Sequence, residues 1–422
     1  MSQPPASALP GLVVAGLDSA GDLPPSIYSL LDWCEVLAGP SAWLKALSEA
    51  EPGLNDQGKI LSPIEPSLDQ WLARLGALSD EKRVLVVAGG DPNFFGLAAK
   101  LLKTVGPEKV TLRPATTTVQ KAFARLKTTW AGVEVQSLHG RQSWRSFWSA
   151  LYRAGRGGES GRLAVYTDPK NTPSVVAEKM LGRGQDRWKA TVLSNLGAEG
   201  ESLWTGSLEE AAGLDFPPLN LTVLSLSGEL SPLSVGAPEE AYAHSDGLIT
   251  KSEVRSVALG LLELTGTETM WDLGCGSGSV ALEAARLLDR GEVWAVEKNR
   301  DRASQALANR ALYGAAHVEI VFGDALEHLE RLPKPDRVFV GGGGAQLSAI
   351  LERTWGRLCP GGVVVAAAVR IDSLNEACAA LSKPGRPASV TQVCTARSEP
   401  LTGSLHLKPQ NQVWLVKGRL QS

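Results

Sequence analysis

Cysteine is scarce in this 422-residue chain: Cys34, Cys275, Cys359, Cys378 and Cys394 are the five, and no two form a CxxC pair. An odd count without paired spacing excludes a disulfide framework and a zinc knuckle, and fits a reducing, cytoplasmic setting. Histidine is equally sparse. His139, His244, His317, His328 and His406 never stand two at a metal-ligand spacing, so no metal site is expected. Long apolar runs are missing too. The longest, Gly361 to Val369, is under half of the ~20 residues a membrane helix needs, which excludes a membrane span. A basic excess is absent: 42 Lys+Arg against 45 Asp+Glu leaves a net charge of −3, with no field to hold nucleic acid phosphates. Residues 1–11 contain neither Lys nor Arg and no apolar core, so no secretory leader is read there. What remains is 43% hydrophobic and 21% charged, enough to bury ordinary cores. At roughly 150 residues per domain, two or three domains are expected.

Apolar runs of strand length alternate with helical periods along most of the chain, which predicts βαβ units and largely parallel sheets. The first half reads as strands at Leu12–Ala15, Arg83–Gly89, Val110–Pro114, Val133–Leu138, Leu163–Asp168, Thr191–Asn195 and Asn220–Leu226. Helices are expected between them at Ser67–Ser79, Phe94–Val105, Thr116–Leu126, Arg145–Ala154 and Pro173–Gly184. The stretch Ser225–Asp246 is rich in Ser, Pro and Gly without periodicity and reads as a linker. Beyond it the alternation is more regular, running from helix Thr250–Leu264 through strand Thr269–Leu273 to strand Gly361–Ala368. It ends in two strands, Ser389–Ala396 and Gln412–Leu420, that have no crossover helix between them and should pair antiparallel.

The segment WDLGCGSGS, Trp271 to Ser279, follows a strand and opens a helix, and it carries the clearest chemistry. Gly274, Gly276 and Gly278, with Cys275 and Ser277 between them, form a GxGxG turn that lets a ligand approach the backbone closely. The helix start behind it favours hydrogen-bond-accepting ligand atoms. Glu297 ends the next strand, where a doubly wound sheet places a carboxylate beside the loop to accept both hydroxyls of a ribose. Asp324 and Ala325, in FGDA, end the third strand and would border an adenine, and Asp272 sits just before the loop. A nicotinamide-binding domain shares this logic, but its fingerprint is GxGxxG. The acid-bearing strand and the terminal antiparallel pair favour S-adenosyl-L-methionine as cofactor over NAD.

These residues also carry a family resemblance. SDGLITKSEVRS (Ser245 to Ser256), WDLGCGSGSVALEAAR (Trp271 to Arg286) and RVFVGGGG (Arg337 to Gly344) resemble, in order, the decarboxylating precorrin methyltransferase domain of cobalamin biosynthesis. The first half resembles the tetrapyrrole methylase domain often fused to it. The matching stretches are VVAGGDPNFFG (Val86 to Gly96), TTTVQKAFARL (Thr116 to Leu126), SLHGR (Ser137 to Arg141), TDPKNTP (Thr167 to Pro173) and SNLG (Ser194 to Gly197). The resemblance implies a bilobal α/β tetrapyrrole-methylase-like domain at 11–226, a linker at 227–244 and a Rossmann-like, seven-stranded methyltransferase domain at 245–422. It implies methylation of a tetrapyrrole at C5 by the first domain, and methylation at C15 with loss of the C12 acetate carboxyl by the second, giving precorrin-8X. Gly89, Gly90, Asp91 and Pro92 would then contact the cofactor in the first domain. In the second, Thr250 and Lys251 would form a mobile lip over it, and Gly341 to Gly344 would let the macrocycle approach the methyl group. One departure stands out: the first loop, VVAGLDSAGD, keeps Gly16 and Gly21 but lacks a close GxG pair. This leaves open an alternative in which only the C-terminal domain is active and the first is a silent tetrapyrrole-binding or assembly module. An RNA or protein methyltransferase shares the same sheet, but the near-neutral charge and the attached first domain disfavour it.

Methyl transfer from a sulfonium to an electron-rich carbon needs positioning and no nucleophilic side chain. No catalytic residue is assigned. A polycarboxylate substrate calls for basic side chains at the pocket mouth, and Lys251, Arg255, Arg141 and Arg370 are the candidates, with His139 beside Arg141. The small-molecule tetrapyrrole is the expected partner, with no membrane or nucleic acid, and the resemblance implies a homo-oligomer.

Overall fold

The computed structural model of the protein describes residues 11–18, 23–56, 58–158, 161–245, 247–383 and 388–421. Gly21 of the first loop lies outside the described residues. Contacts divide the chain into two compact units. One gathers the chain up to Gly132 with Val192–Trp204 and Pro217–Leu221; the other holds Val133–Thr191, Thr205–Phe216 and Thr222–Ser422.

The first unit is built on strands β1 (Leu12–Leu17), β2 (Val36–Gly39), β3 (Ile60–Pro63), β4 (Val84–Gly89) and β5 (Val110–Arg113), in the order β3-β2-β4-β1-β5 with every pairing parallel. Strand β1 reads LVVAGL and is buried throughout. Its alternate residues serve two separate cores: Val13, Ala15 and Leu17 pack with Leu31 and Leu47, while Leu12 and Val14 pack with Trp71 and Leu75. A parallel sheet covered on both faces gives this continuous apolar run rather than an alternating one. A second five-stranded sheet uses β6 (Glu134–Ser137), β7 (Arg162–Tyr166), β8 (Trp188–Ser194), β9 (Ser202–Ser207) and β10 (Asn220–Leu226), in the order β6-β7-β10-β8-β9.

The third sheet positions the site. Its strands are β11 (Thr269–Leu273), β12 (Glu292–Glu297), β13 (Val318–Phe322), β14 (Arg337–Val340), β15 (Val363–Ala368), β16 (Ala388–Val393) and β19 (Val413–Arg419). A separate hairpin, β17 (Ala396–Leu401) and β18 (Ser404–Pro409), lies between β16 and β19 in the chain. The sheet order is β13-β12-β11-β14-β15-β19-β16. The strands β11 to β15 run parallel, and β19 pairs antiparallel with both β15 and β16, as the missing crossover required. Here too the two faces feed two cores, Met270, Ala295 and Val365 on one and Trp271, Val296 and Val364 on the other. The chain winds outward from β11 through β12 to β13, then returns to place β14 on the other side. The crevice between β11 and β14 is therefore a topological switch point, where open α/β sheets bind ligands at the carboxyl ends of their strands.

The strands read from sequence are all present within a few residues, whereas β2, β3, β9 and the hairpin are additions. β2 is an apolar run of only four residues, VLAG, while the others carry a weak local signal: β3 ends in Pro63, β9 is SLWTGS, and the hairpin strands hold Pro400 and Pro409. Proline is tolerated on edges, so β3 and the hairpin strands exist by pairing rather than by pattern. The segment read as a linker packs on the C-terminal core through Ala237 and Tyr242. Among the described residues no helix is long and apolar enough to cross a membrane.

Candidate active site at the carboxyl ends of the C-terminal sheet

A cavity of about 720 Å³ opens over β11, β12, β13 and β14, within the size range of small-molecule sites. Of the residues singled out from sequence, it brings together Thr250, Lys251, Gly274, Cys275, Gly276, Ser277, Glu297, Asp324, Ala325, Gly341 and Gly342. The floor is the turn after β11. Gly274 has φ +74°, and a Cβ there would meet the Gly342 carbonyl oxygen at 2.8 Å, so the loops after β11 and β14 approach this closely because position 274 is glycine. Gly276 has φ +58°, and only the Leu248 carbonyl, at 3.9 Å, lies near its absent Cβ; the open space faces the cavity. Gly278, at φ +81°, caps helix Ser279–Leu287 from outside the cavity lining.

Glu297 is 4% exposed and is held from two sides. Its Oε2 accepts the Gly276 N–H at 2.8 Å and its Oε1 accepts the Asn299 N–H at 2.9 Å. Each oxygen keeps a further lone pair for a hydroxyl donor. Asp324 lines the cavity and caps the short helix Ala325–His328 by accepting the Leu326 N–H at 2.9 Å. Ser277 lines the cavity with a buried hydroxyl that has no hydrogen-bond partner.

Asp272 lies beneath the loop and does not line the cavity. It is 1% exposed; its Oδ2 accepts the Ala281 N–H at 2.9 Å, and its Oδ1 has no partner. Burial, opposed by that hydrogen bond and reinforced by the charge of Glu297, pushes its pKa up to about 7 from the ordinary 3.8. A carboxyl raised in this way costs stability as pH climbs. Between about pH 4 and 7 the unfolded chain releases a proton that the folded chain keeps, so stability falls through that window and levels off above it. Asp272→Asn should therefore flatten the pH dependence of the urea midpoint between about pH 4 and 7. An unchanged slope would place the titrating group elsewhere. Cys275 is also buried, and burial with Asp272 and Glu297 nearby lifts its thiol well above the ordinary value, so it stays protonated and is no nucleophile.

Three expectations need correction. Arg255 does not reach the cavity: it is wholly buried, paired with Glu283 through Nε–Oε1 at 2.8 Å, and its guanidinium also donates to the carbonyls of Thr250 and Ala237. It holds the cavity lip from behind. That lip is anchored rather than loose, since Ser252 N–H donates to Glu239 at 2.8 Å and Arg397, on β17, spans Glu239, Glu253 and Ser252. Arg397 holds both carboxyls at about 2, well below the usual range. Arg370 is exposed and pairs with its neighbour Asp372, outside the cavity.

The remaining candidates lie elsewhere. His139 and Arg141 sit exposed on the loop after β6, also outside the cavity; that loop is tied down by Asp168, which accepts the Gly140 N–H at 2.7 Å. Gly89 ends β4 in the first unit, and Gly90, Asp91 and Pro92 follow it. There Gly90 (φ +70°) donates its N–H to Leu17 at 2.9 Å, and a Cβ on Gly16 would lie 2.1 Å from the Gly90 carbonyl oxygen. The loops after β1 and β4 thus meet without a GxG pair.

Sequence reasoning missed Lys298, Arg302, Lys408, Gln410 and Asn411, which all line the cavity. Lys298 adjoins Glu297 and could have been read from that neighbour. Lys408 to Asn411 come from the end of the hairpin, and no local pattern pointed to them. With Lys251, the lining holds four cations against the two carboxylates of Glu297 and Asp324.

Comparison with known proteins accords with this geometry. A family model described as "Precorrin methyltransferase domain" matches residues 240–418, and one described as "Tetrapyrrole (Corrin/Porphyrin) Methylases" matches residues 12–212. Fold and site together define a Rossmann-like methyltransferase joined to a tetrapyrrole methylase. The chain is 29% identical over 412 residues to a precorrin-6Y C(5,15)-methyltransferase [decarboxylating] from Sinorhizobium sp, covering 96% of this chain and 95% of that one. It is 32% identical to the Mycobacterium tuberculosis H37Rv protein of the same name, covering 82% and 85%. The chain belongs to the family of decarboxylating precorrin-6Y C(5,15)-methyltransferases. It is also 41% identical over 184 residues to a probable cobalt-precorrin-6B C(15)-methyltransferase (decarboxylating) from Pyrobaculum calidifontis, covering 43% of this chain and 94% of that one.

Proposed function

We propose that the chain methylates precorrin-6Y at C5 and C15 and removes the carboxyl of its C12 acetate, giving precorrin-8X, with S-adenosyl-L-methionine as the methyl donor. The observation that carries the reading is the switch-point cavity, with its open Gly276 and backbone-held Glu297, in a chain similar along almost its whole length to proteins of that name. When bound, the donor supplies an electrophilic methyl group on a sulfonium. Glu297 would accept its ribose hydroxyls, the Gly274–Gly278 loop would lie under its amino-acid tail, and Asp324 with Ala325 would border its adenine. Thr250 belongs to the same set.

Lys251, Lys298, Arg302 and Lys408 would engage the carboxylate arms of the tetrapyrrole, and Gly341 and Gly342 would let the ring come close. Holding donor and acceptor carbon in contact distance is the protein's main contribution, since the macrocycle brings its own nucleophilic carbon. The ring brings the electron sink for decarboxylation as well: methylation at C15 leaves a conjugated imine that receives the electrons of the departing carboxylate. In this reading residues 245–422 carry the C15 methylation and decarboxylation. The relative that spans 43% of the chain and is named for those two steps supports that division. Residues 11–226 carry the C5 methylation through Gly89 to Pro92, while His139 and Arg141 are substrate contacts to be tested in that domain.

The test uses the full chain, the reduced precorrin-6 substrate and the methyl donor, with the product weighed. Two methyl groups gained and one CO2 lost is the expected result. One methyl gained with CO2 lost would instead establish a silent first domain, and calorimetric titration would then find a single donor site per chain in place of two.

A further inference from the structure

A second cavity, a groove of about 520 Å³, is lined by Trp144, Trp148, Lys179, Arg183, Arg310 and Glu319. None of these residues belongs to the site described above. Arg310 is 4% exposed, yet among the described residues no carboxylate lies within 4 Å of it; its Nε has no partner, and its hydrogen bond to the Val318 carbonyl is 3.5 Å long. The nearest acid, Glu319, is already taken by Arg183, which also lies 4.4 Å over the Trp148 ring. Of the two guanidinium groups, only that of Arg183 is paired with the carboxylate. Lys179, 5.2 Å over Trp144, adds a third cation on the rim. A buried cation without a counter-ion is expensive, so such an arrangement fits a site completed by an anion from outside. The same walls are apolar: Trp144 and Trp148 stack at 5.6 Å, and Leu307 is 42% exposed at the edge. An inorganic anion has no use for that surface.

We propose that this groove is a docking site, separate from the methyl-transfer cavity, for a carboxylate arm of a tetrapyrrole, with Arg310 receiving the carboxylate and the indoles and Leu307 flanking the ring edge. The identity of the ligand rests on the proposed function; the need for an oxyanion rests on Arg310 alone. No bond is made or broken there.

The test is titration of wild-type, Arg310→Met, Lys179→Glu and Trp144→Phe full-length chains with uroporphyrin, a fully carboxylated porphyrin, followed by calorimetry and tryptophan quenching. The expected result is loss of one class of binding site in Arg310→Met and a roughly tenfold weakening in Lys179→Glu, whose side chain is exposed. Trp144→Phe should remove part of the quenching. Methyl transfer measured on the same preparations should be unchanged by these substitutions. Identical isotherms for wild type and both charge variants would overturn the proposal. So would displacement of the porphyrin from that class by inorganic phosphate at equal concentration, which would mark a general oxyanion site. Absent methyl transfer in all four proteins, with the Arg310-dependent class still present, would refute the proposed reaction and leave the groove standing.

Discussion

Gly276→Val should lose at least a hundredfold in affinity for S-adenosyl-L-methionine at the C-terminal site, and methyl transfer to C15 with it. Two effects add. A β-branched residue at φ +58° costs roughly 1–2 kcal/mol of backbone strain, which the fold can absorb as a modest fall in stability. The larger effect is steric, because Gly276 lines the cavity and the nearest neighbour of a side chain there would be the Leu248 carbonyl oxygen at 3.9 Å. A valine would stand where the donor must lie. Gly276→Ala should show an intermediate loss. Glu297→Gln removes the charge but not the volume, and should cost roughly tenfold or somewhat more, as for charge-assisted hydrogen bonds. Calorimetric titration measures all three. A Gly276→Val chain that binds the donor as wild type does would place the cofactor somewhere other than this loop.

Arg255→Met should destabilise the C-terminal half by about 3–5 kcal/mol, a fall in melting temperature of roughly 10 °C. Both members of the Arg255–Glu283 pair are fully buried, and Glu283 also accepts the Tyr242 hydroxyl at 2.8 Å and the Gly236 N–H at 2.9 Å. Burial and the Glu283 charge push the Tyr242 phenol far above its ordinary value, so it remains a donor and cannot take over the role of the cation. Removing the arginine strands a carboxylate in the core, and it frees the Thr250 carbonyl at the cavity lip. Arg255→Met with Glu283→Gln should recover a large part of the loss in stability, while the lip stays free and donor affinity stays reduced. A single variant as stable as wild type would show that the pair contributes little. The same outcome would reopen a substrate role for Arg255.

How far the sequence could be read depends on whether a feature is local. The glycine loop, Glu297 and Asp324 were legible because each sits at the end of a strand announced by its own apolar run, and a parallel sheet brings successive strand ends together. Arg255 misled because charge alone does not say which way a helical side chain points. It stands in a helix that packs on the sheet, and its face turns inward, so an arginine that looked like a carboxylate clamp became a buried strut. Lys408, Gln410 and Asn411 escaped because their hairpin shows no periodicity and is joined to the lip through Arg397 and the two distant acids Glu239 and Glu253. Arg310 escaped for the opposite reason. It looked like one more solvated charge on helix Arg300–Leu312, and only the packing around it shows that it has lost both water and partner.

The amino-acid order by itself determined the strongly patterned strands and helices, that the sheet of the C-terminal half is parallel until its last strands reverse, and where backbone could approach a ligand. These follow from periodicity, from glycine's freedom at positive φ, and from the need for a crossover between parallel neighbours. Tertiary structure alone decided which charges face a cavity and which are buried against each other. It also decided that a weakly patterned hairpin contributes residues to the cavity wall, and that one arginine lacks a counter-ion. Pairing of charges across more than a hundred residues of chain, as between Glu239 and Arg397, depends on the folded path and leaves no trace in local sequence.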